Sequence, residues 1–345
     1  MLNMKVDDLA DDAGGTSQTK RVKLNIPSRE IPVPRHLSPA AQAWLSMAPR
    51  PEGPGYPPLD DSEGWRKHIA QSDAMIMQLY VGGRERPDCT INEIAEGQAR
   101  GFELIPSGHD PADRRVYLDI HGGALIMGAG EVCQAMALGT VKVHGVRVVA
   151  VDYRMPPEAP FPAGLDDCVA FYRMLLRDHD PSQIIVGGGS AGGNLAAATI
   201  LRARDEGLPL PAAAVLVSPE VDLTESGDSF HTNAGIDGMG SLMQANLLYA
   251  AGHDLTDPYV SPLFGDFTKG FPPTLITAGT RDVFLSNAVR LHRMLRAANI
   301  PAELHVLEAA AHGSFGGTTP EEAELNDEIR QFCDRQWAEG RRHSS

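Results

Sequence analysis

From about residue 90 onward, short runs of apolar residues alternate with longer amphipathic stretches. The strands predicted from the short runs are Arg100–Ile105, Arg115–Ile120, Arg147–Val151, Gln183–Gly187, Ala213–Val217, Thr274–Ala278 and Ala302–Leu307. The helices predicted between them are Glu131–His144, Ala163–Asp178, Ala191–Glu206, Phe284–Ala298 and Pro320–Trp337. Several strands are apolar throughout, which is typical of strands buried on both faces. The alternation predicts an α/β fold with a mainly parallel sheet between two layers of helices.

Two segments do not follow this alternation. Residues 31–89 contain two helical patterns, at about Ser38–Met47 and Asp61–Leu79, before the first clear strand. Residues 221–263 contain loop-forming residues and then a short helix near Ser241–Ala251. We therefore predict an α/β domain formed by residues 90–220 and 264–340, and a helical cap formed by the two segments. Residues 1–30 are predicted to be a disordered lead-in without a secretory signal.

Composition narrows the function classes. The formal net charge of −15 argues against nucleic-acid binding, which needs clustered Lys and Arg, and against stable association with an anionic membrane. The four cysteines lack metal-binding spacing, and free thiols are typical of a reducing compartment. No apolar run is long enough to span a bilayer. These features predict a cytoplasmic protein.

The strongest motif is Gly188-Gly189-Ser190-Ala191-Gly192, which follows an apolar strand and begins an Ala-rich helix. This is the G-x-S-x-G pattern in the strand–turn–helix context that it requires. A sharp turn there lifts the Ser190 hydroxyl above the sheet, at a helix N-terminus that stabilises developing negative charge. Ser190 is therefore the predicted nucleophile.

The same glycines allow a second interpretation. Gly187, Gly189 and Gly192 also fit the dinucleotide-binding pattern, and Glu220 after the next strand would then be the ribose ligand. That motif normally opens the first βαβ unit of a fold, whereas three strands precede it here. It also leaves the two motifs described next without a function.

The second motif is His121-Gly122-Gly123-Ala124, directly after the strand that ends at Ile120. A glycine-rich turn here can aim backbone N–H groups of Gly122, Gly123 or Ala124 at a substrate oxygen, together with the N–H of Ala191. The alternative is an ordinary tight turn. His121 itself is expected to be a structural hydrogen-bonding residue.

The third motif is the pair Asp282 and His312, which follow the two last predicted strands. Both are expected in loops at the carboxyl ends of parallel strands, where such sheets bind ligands. A serine nucleophile needs a nearby base, and the base needs a carboxylate that fixes its tautomer. The chain order Ser190, Asp282, His312 fits this requirement.

Other acids and histidines are weaker candidates. Asp282 alone could be a helix cap, and Asp222 and Glu308 are the next acids to consider. His305 lies within a predicted strand and His292 within a predicted helix, so neither is expected to reach the site.

Together these residues resemble the bacterial hormone-sensitive-lipase-like esterases, an α/β-hydrolase family. The likeness runs from about Val116 to His312. It covers His121-Gly-Gly, Val151-Asp152-Tyr153-Arg154 with the following Pro-rich stretch to Asp167, Gly-Ser190-Ala-Gly-Gly193-Asn194, Ser218-Pro219-Glu-Val-Asp222, Asp282 and His312-Gly313. Two departures stand out: Ala124 replaces the usual third glycine, and Gly189 replaces the usual aspartate before the nucleophile.

The resemblance implies an α/β-hydrolase three-layer sandwich with a helical cap. By the family pattern, Asp152, Tyr153 and Arg154 brace the oxyanion loop, which is the turn at residues 121–124. The implied function is a serine-dependent carboxylic ester hydrolase of small to medium apolar esters, with a small-molecule substrate and no cofactor or metal. Lactone or amide hydrolysis remains open, and a weaker likeness to monoterpene lactone hydrolases points that way. A non-catalytic binder also remains open, because plant hormone receptors belong to the same family. Those receptors lack the histidine that corresponds to His312. Members often form homodimers.

Overall fold

The computed structural model describes residues 26, 28, 30–47, 55–81 and 86–343, and a compact unit begins at Val33. The predicted disordered lead-in lies almost entirely outside the described residues.

Eight strands form one sheet in the order β1-β2-β4-β3-β5-β6-β7-β8. The strands are β1 Cys89–Glu96, β2 Ala99–Pro106, β3 Val116–Ile120, β4 Arg147–Asp152, β5 Ile184–Gly189, β6 Ala213–Val217, β7 Thr274–Gly279 and β8 Ala302–Leu307. β2 pairs antiparallel with β1 and β4, and the other neighbours pair in parallel. The carboxyl ends of β3 to β8 therefore meet along one edge of the sheet.

Helices cover both faces of the sheet. They are α1 Pro39–Leu45, α2 Ser62–Val81, α3 Glu131–His144, α4 Ala163–Asp178, α5 Ala191–Asp205, α6 Ser229–Thr232, α7 Met243–Ala250, α8 Leu285–Ala297 and α9 Pro320–His343. α4, α5 and α8 pack on one face and α3 and α9 on the other. In the described part of the chain, no helix is both apolar enough and long enough to cross a lipid bilayer.

Alternation along each strand separates two cores. In β3, Leu118 points into the core under α4, α5 and α8, whereas Tyr117 points into the core under α3 and α9. In β6, Leu216 and Val215 divide in the same way. Because both faces are covered, neither strand has a solvent-exposed polar face, and β6 is apolar throughout.

The structure also shows three elements that the sequence pattern did not predict correctly. β1 was missed because it is a largely exposed edge strand with polar residues along both faces. At helix α6 the sequence pattern predicts loop, since four residues are too few to show helical spacing. Helix α9 continues beyond Trp337 to His343, through Glu and Arg residues that favour helix. The seven predicted strands correspond to β2 to β8, and each predicted end lies within two residues of the observed end.

The two segments outside the alternation pack near the carboxyl edge of the sheet. Trp65 of α2 and Leu242 and Ala245 from residues 221–263 form one buried cluster with Ala124 and Phe284. Ala41 of α1 belongs to a second buried cluster, with Ala309 and Phe315. The boundaries of a cap domain stay a prediction.

Candidate active site

Ser190 lies at the turn between β5 and α5. Its backbone has φ 56° and ψ −123°, a conformation that non-glycine residues rarely adopt. A Cβ on Gly192 would lie 1.9 Å from the carbonyl oxygen of Ile120, so only glycine lets the start of α5 approach β3 this closely. The strain and the close packing together fix the Ser190 hydroxyl above the carboxyl ends of the strands.

Asp282 and His312 lie in the loops after β7 and β8, which pack directly on each other. The N–H of Thr280 donates to the carbonyl of Leu307, and the N–H of Arg281 donates to the carbonyl of Ala310. A Cβ on Gly279 would lie 2.0 Å from the Ala310 oxygen, so glycine is needed where the two loops touch. The parallel pairing of β7 and β8 thus brings together two residues that are 30 positions apart in the chain.

The three predicted side chains meet at this edge. Nε2 of His312 lies 3.0 Å from Oγ of Ser190, within hydrogen-bond distance. Nδ1 of His312 lies 3.4 Å from Oδ1 of Asp282, an ion-pair contact somewhat longer than an ideal hydrogen bond. Contacts of this kind are often long in a free enzyme and shorten when substrate binds. The Phe284 ring packs edge-on against the imidazole, with 4.9 Å between centroids.

The electrostatics favour a charged acid–base pair. Burial opposes the charge of Asp282, but the facing His312 and hydrogen bonds that include the N–H of Phe284 hold the pKa of Asp282 below its ordinary value. Burial likewise opposes the charge of His312, but Asp282 and then Asp237 raise the pKa of His312. Each shift stabilises the imidazolium that would form when Ser190 gives up its proton.

The predicted oxyanion residues lie against the elbow, the turn at residues 188–192 that carries Ser190. The Cα of Gly122 is so close that a Cβ there would lie 3.4 Å from the Ser190 Cβ. Ala191 is the first residue of α5, where an N–H group has no intrahelical acceptor. The loop then folds back on itself, because the N–H groups of Ile126 and Met127 both donate to the carbonyl of Gly123.

Behind this loop lies a brace made by the segment after β4. The buried His121 stacks on Tyr153, with 4.1 Å between ring centroids, and the Tyr153 hydroxyl donates to the His121 carbonyl at 3.1 Å. Asp152 accepts the N–H of Gly130 at 2.9 Å. Burial lowers the pKa of His121 to about 4, so it is a neutral structural residue.

Among the described residues, one group of metal-ligating types is close enough to share an ion: His121, Cys133 and Asp152, whose ligand atoms lie within 4.8 Å of one another. Cys133 donates to the Val151 carbonyl and Asp152 accepts from Gly130. These bonds give the group a structural role in the brace.

The alternative acids and histidines face elsewhere. Asp222 accepts from Arg290 at 2.6 Å and from the hydroxyls of Thr224 and Ser226. Glu308 is exposed. The His305 ring contacts Glu328 of α9, and the His292 ring contacts the Ala302 carbonyl at 3.3 Å.

Two acids near His312 were not singled out for this site from the sequence. Asp237 accepts the backbone N–H of His312 at 3.1 Å, and the buried Glu220 donates its backbone N–H to the Ser190 carbonyl. Asp237 has a signal in retrospect, since Ser229, Asn233 and Asp237 recur every fourth residue. Glu220 has none beyond its place after β6, where it was considered only as a ribose ligand.

The two departures from the family pattern have different surroundings. A Cβ on Gly189 would meet its nearest neighbour, the Val217 oxygen, at 3.6 Å, an ordinary contact. The position therefore has room for a side chain. Ala124 instead has φ 50°, a conformation that suits glycine, and its side chain is buried.

Comparison with known proteins agrees with this geometry. A family described as alpha/beta hydrolase fold matches residues 117–316. An acetyl-hydrolase of Streptomyces hygroscopicus is 38% identical over 193 residues, which is 55% of this chain and 64% of that protein. Esterase LipU of Mycobacterium tuberculosis is 35% identical over 218 residues, covering 60% of this chain and 73% of that protein.

Solved structures extend the likeness to most of the chain. The crystal structure of an esterase E25 superposes with a TM-score of 0.83 and 32% identity, over 90% of this chain and 98% of that one. An esterase described as belonging to the bacterial hormone-sensitive lipase family has a TM-score of 0.74 and 31% identity, over 87% and 99% of the two chains. The predicted fold class and the predicted resemblance are confirmed, and the dinucleotide-binding alternative finds no support. This chain belongs to the alpha/beta hydrolase fold family, among relatives that are named as esterases.

Proposed function

We propose that the protein is a serine-dependent carboxylic ester hydrolase with Ser190 as nucleophile, His312 as base and Asp282 as orienting acid. The observation that carries the proposal is the 3.0 Å contact between Nε2 of His312 and the hydroxyl of Ser190 at the strained elbow. The names of the relatives, which are esterases and carboxylic ester hydrolases, support the same activity.

The reaction follows from these positions. His312 takes the Ser190 proton through Nε2 while Oγ attacks the ester carbonyl, and Asp282 stabilises the resulting imidazolium. Backbone N–H groups of Gly122, Gly123 or Ala124 and of Ala191 would hold the oxyanion, each donor contributing about 3 kcal/mol. His312 then protonates the leaving alcohol. Water, activated by the same base, releases the acid from the acyl-enzyme, so the reaction needs no cofactor.

The substrate is proposed to be a small to medium apolar ester. The cluster of Trp65, Ala124 and Phe284 beside the oxyanion loop is apolar and favours such a group. Two relatives carry names that point to short acyl chains, the acetyl-hydrolase of Streptomyces hygroscopicus and an ethyl acetate hydrolase of Pseudomonas putida. We extend that preference to this chain as part of the proposal.

The test is turnover of p-nitrophenyl acetate together with covalent labelling by a serine-directed phosphonate. Ser190→Ala should lower kcat by about 10⁴-fold or more and abolish the label. Ser46→Ala, at an exposed serine, is the matched control and should leave both unchanged. Full turnover in the Ser190→Ala variant would refute the mechanism.

Matched ester, amide and lactone substrates separate the remaining alternatives. An esterase should prefer the ester in kcat/KM, whereas a lactonase or amidase with the same residues would reverse the order. A binder without catalysis would show ligand affinity but no turnover. The presence of His312 in contact with Ser190 favours catalysis over binding alone.

Location and assembly remain part of the proposal. The four cysteines are free, which supports a cytoplasmic protein. A homodimer is expected from the family resemblance, and the molecular mass in solution would test it.

A further inference from the structure

Residues 221–263 form an insertion after β6, and within it the side chains of residues 229–237 bind the loop that carries Asp282. The Ser229 hydroxyl donates to the Val283 carbonyl and accepts the N–H of Ser286 at 2.9 Å. One turn later, the Asn233 amide donates to the Asp282 carbonyl at 2.8 Å. These contacts recur every four residues, the spacing of one helical face.

Asp237, four residues further on, connects the acid loop to the base loop. Its Oδ2 accepts the N–H of Val283 at 2.7 Å and the N–H of His312 at 3.1 Å. One carboxylate oxygen therefore fixes the backbone next to Asp282 and the backbone of His312 itself. Neither bond involves the atoms that would carry the proton.

We propose that Asp237 is a positioning residue for ester hydrolysis: its carboxylate holds the Asp282 and His312 backbones in register, so that the insertion sets the alignment of acid with base. The inference rests on the proposed function. It deepens that function, because it assigns residues 229–237 a role in the reaction and not only in covering the site.

Charge gives Asp237 a second effect. The charged and titratable groups that face the His312 imidazole are Asp282 from the acid loop, Asp237 from the insertion and Glu220 from the segment after β6, with the Ser190 hydroxyl opposite. Asp237 is half-buried, so its charge is only partly screened by solvent. Loss of that charge should therefore lower the pKa of His312. If Asp237 acted only through its hydrogen bonds, the pKa of His312 would not change.

The experiment compares Asp237→Ala, Asp237→Asn and Asp222→Asn in the full-length enzyme with p-nitrophenyl acetate. Asp237→Ala should lower kcat by about 10²-fold with KM within about threefold, because a misplaced base loses the near-attack geometry. Asp237→Asn keeps an oxygen that accepts both N–H groups and should recover kcat to within about tenfold. In the pH profile of kcat/KM for Asp237→Asn, the rise that reports deprotonation of His312 should move to lower pH by about half a unit.

Asp222→Asn is the matched control, since it neutralises another buried acid of the same segment that contacts Arg290 instead. It should lower the melting temperature but keep kcat within about threefold of wild type. The inference is overturned if Asp237→Ala keeps more than about a third of wild-type kcat, or if Asp222→Asn loses as much kcat as Asp237→Ala. It is also overturned if the pH at which kcat/KM rises is the same in Asp237→Asn as in wild type. If Asp237→Ala fails to fold, the pH profile of kcat/KM for Asp237→Asn tests the inference alone.

The two proposals fail in different ways. A wild-type protein with neither turnover nor phosphonate labelling would overturn the proposed function and this inference with it. An active wild type with an indifferent Asp237→Ala variant would overturn only the inference.

Discussion

The nucleophile and the acid–base pair are held in place by different means. Ser190 is fixed by its own backbone, in a turn where Gly192 approaches the Ile120 carbonyl more closely than any side chain would allow. Asp282 and His312 are held by contacts between their loops and by side chains of a distant insertion, chiefly Asn233 and Asp237.

This difference separates what a short motif can encode from what the whole fold must supply. A close backbone approach tolerates no added atom, so substitution there should be all or nothing. Side-chain hydrogen bonds can weaken by degrees, so the acid–base side should be adjustable. Substitutions on one side test the support of that side, and substitutions at a residue that contacts both sides test how far the two are coupled.

The largest effect is expected for Gly192→Ala. The new Cβ would lie 1.9 Å from the Ile120 oxygen and force α5 away from β3, which should cost about 3 kcal/mol of unfolding free energy and most of the activity. Urea denaturation measures the change. Gly189→Ala is the control, since its nearest contact would be 3.6 Å and its cost below about 1 kcal/mol. Equal costs for the two variants would contradict a steric limit specific to the elbow.

Glu220 contacts the Ser190 backbone and faces His312, and its charge state should couple the stability of the protein to pH. Its N–H donates to the Ser190 carbonyl, and neither carboxyl oxygen receives a well-formed hydrogen bond. Burial raises the pKa of Glu220 from an ordinary 4.5 to about 8. Between these values the folded protein keeps a proton that the unfolded chain releases, so the free energy of unfolding falls as pH rises, by about 1.4 kcal/mol per unit.

Glu220→Gln removes this dependence. Between about pH 5.5 and 7.5 its unfolding free energy should decline less steeply than that of wild type, by about 1 kcal/mol per unit. Denaturation curves at several pH values measure the slope. Glu308→Gln, at an exposed acid, should keep the wild-type slope. A Glu220→Gln slope equal to that of wild type would mean that Glu220 is ionised in the folded protein.

The smallest effect is expected for Ala124→Gly. Glycine relieves the left-handed backbone at φ 50°, but it removes a buried methyl group and adds freedom to the unfolded chain, so stability should change by less than about 1 kcal/mol. The wider site should raise kcat/KM for p-nitrophenyl butyrate relative to the acetate by about two- to fivefold, given the size of one methyl contact. A ratio that stays the same would show that Ala124 does not limit the acyl group.

The sequence predicted the features that depend on local pattern. Apolar runs identified the strands buried on both faces, and G-x-S-x-G identified the Ser190 turn because the glycines and the flanking strand and helix are contiguous. Asp282 and His312 were found by their positions after strands, which parallel pairing then brings side by side. The edge strand β1 has no such pattern, since most of its side chains are exposed.

The remaining parts of the site depend on contacts that no local pattern contains. Asp237 reaches His312 across 75 residues, and only the folded insertion brings the two together. Glu220 is an acid that hydropathy would place at the surface, yet its side chain is buried. The dependence of each residue on distant segments explains why a motif search finds the chemical groups but not their supports.

The amino-terminal helix α1 also contributes to the base loop. Trp44 packs against Gly316, four residues after His312, and the Ser38 hydroxyl donates to Glu321 at the start of α9 at 2.8 Å. The loop that carries the base is thus closed from outside by a helix from the opposite end of the chain. A version of the enzyme that begins after Leu45 would lack α1, so that loop would lose its outer contact even with the sheet beneath it intact.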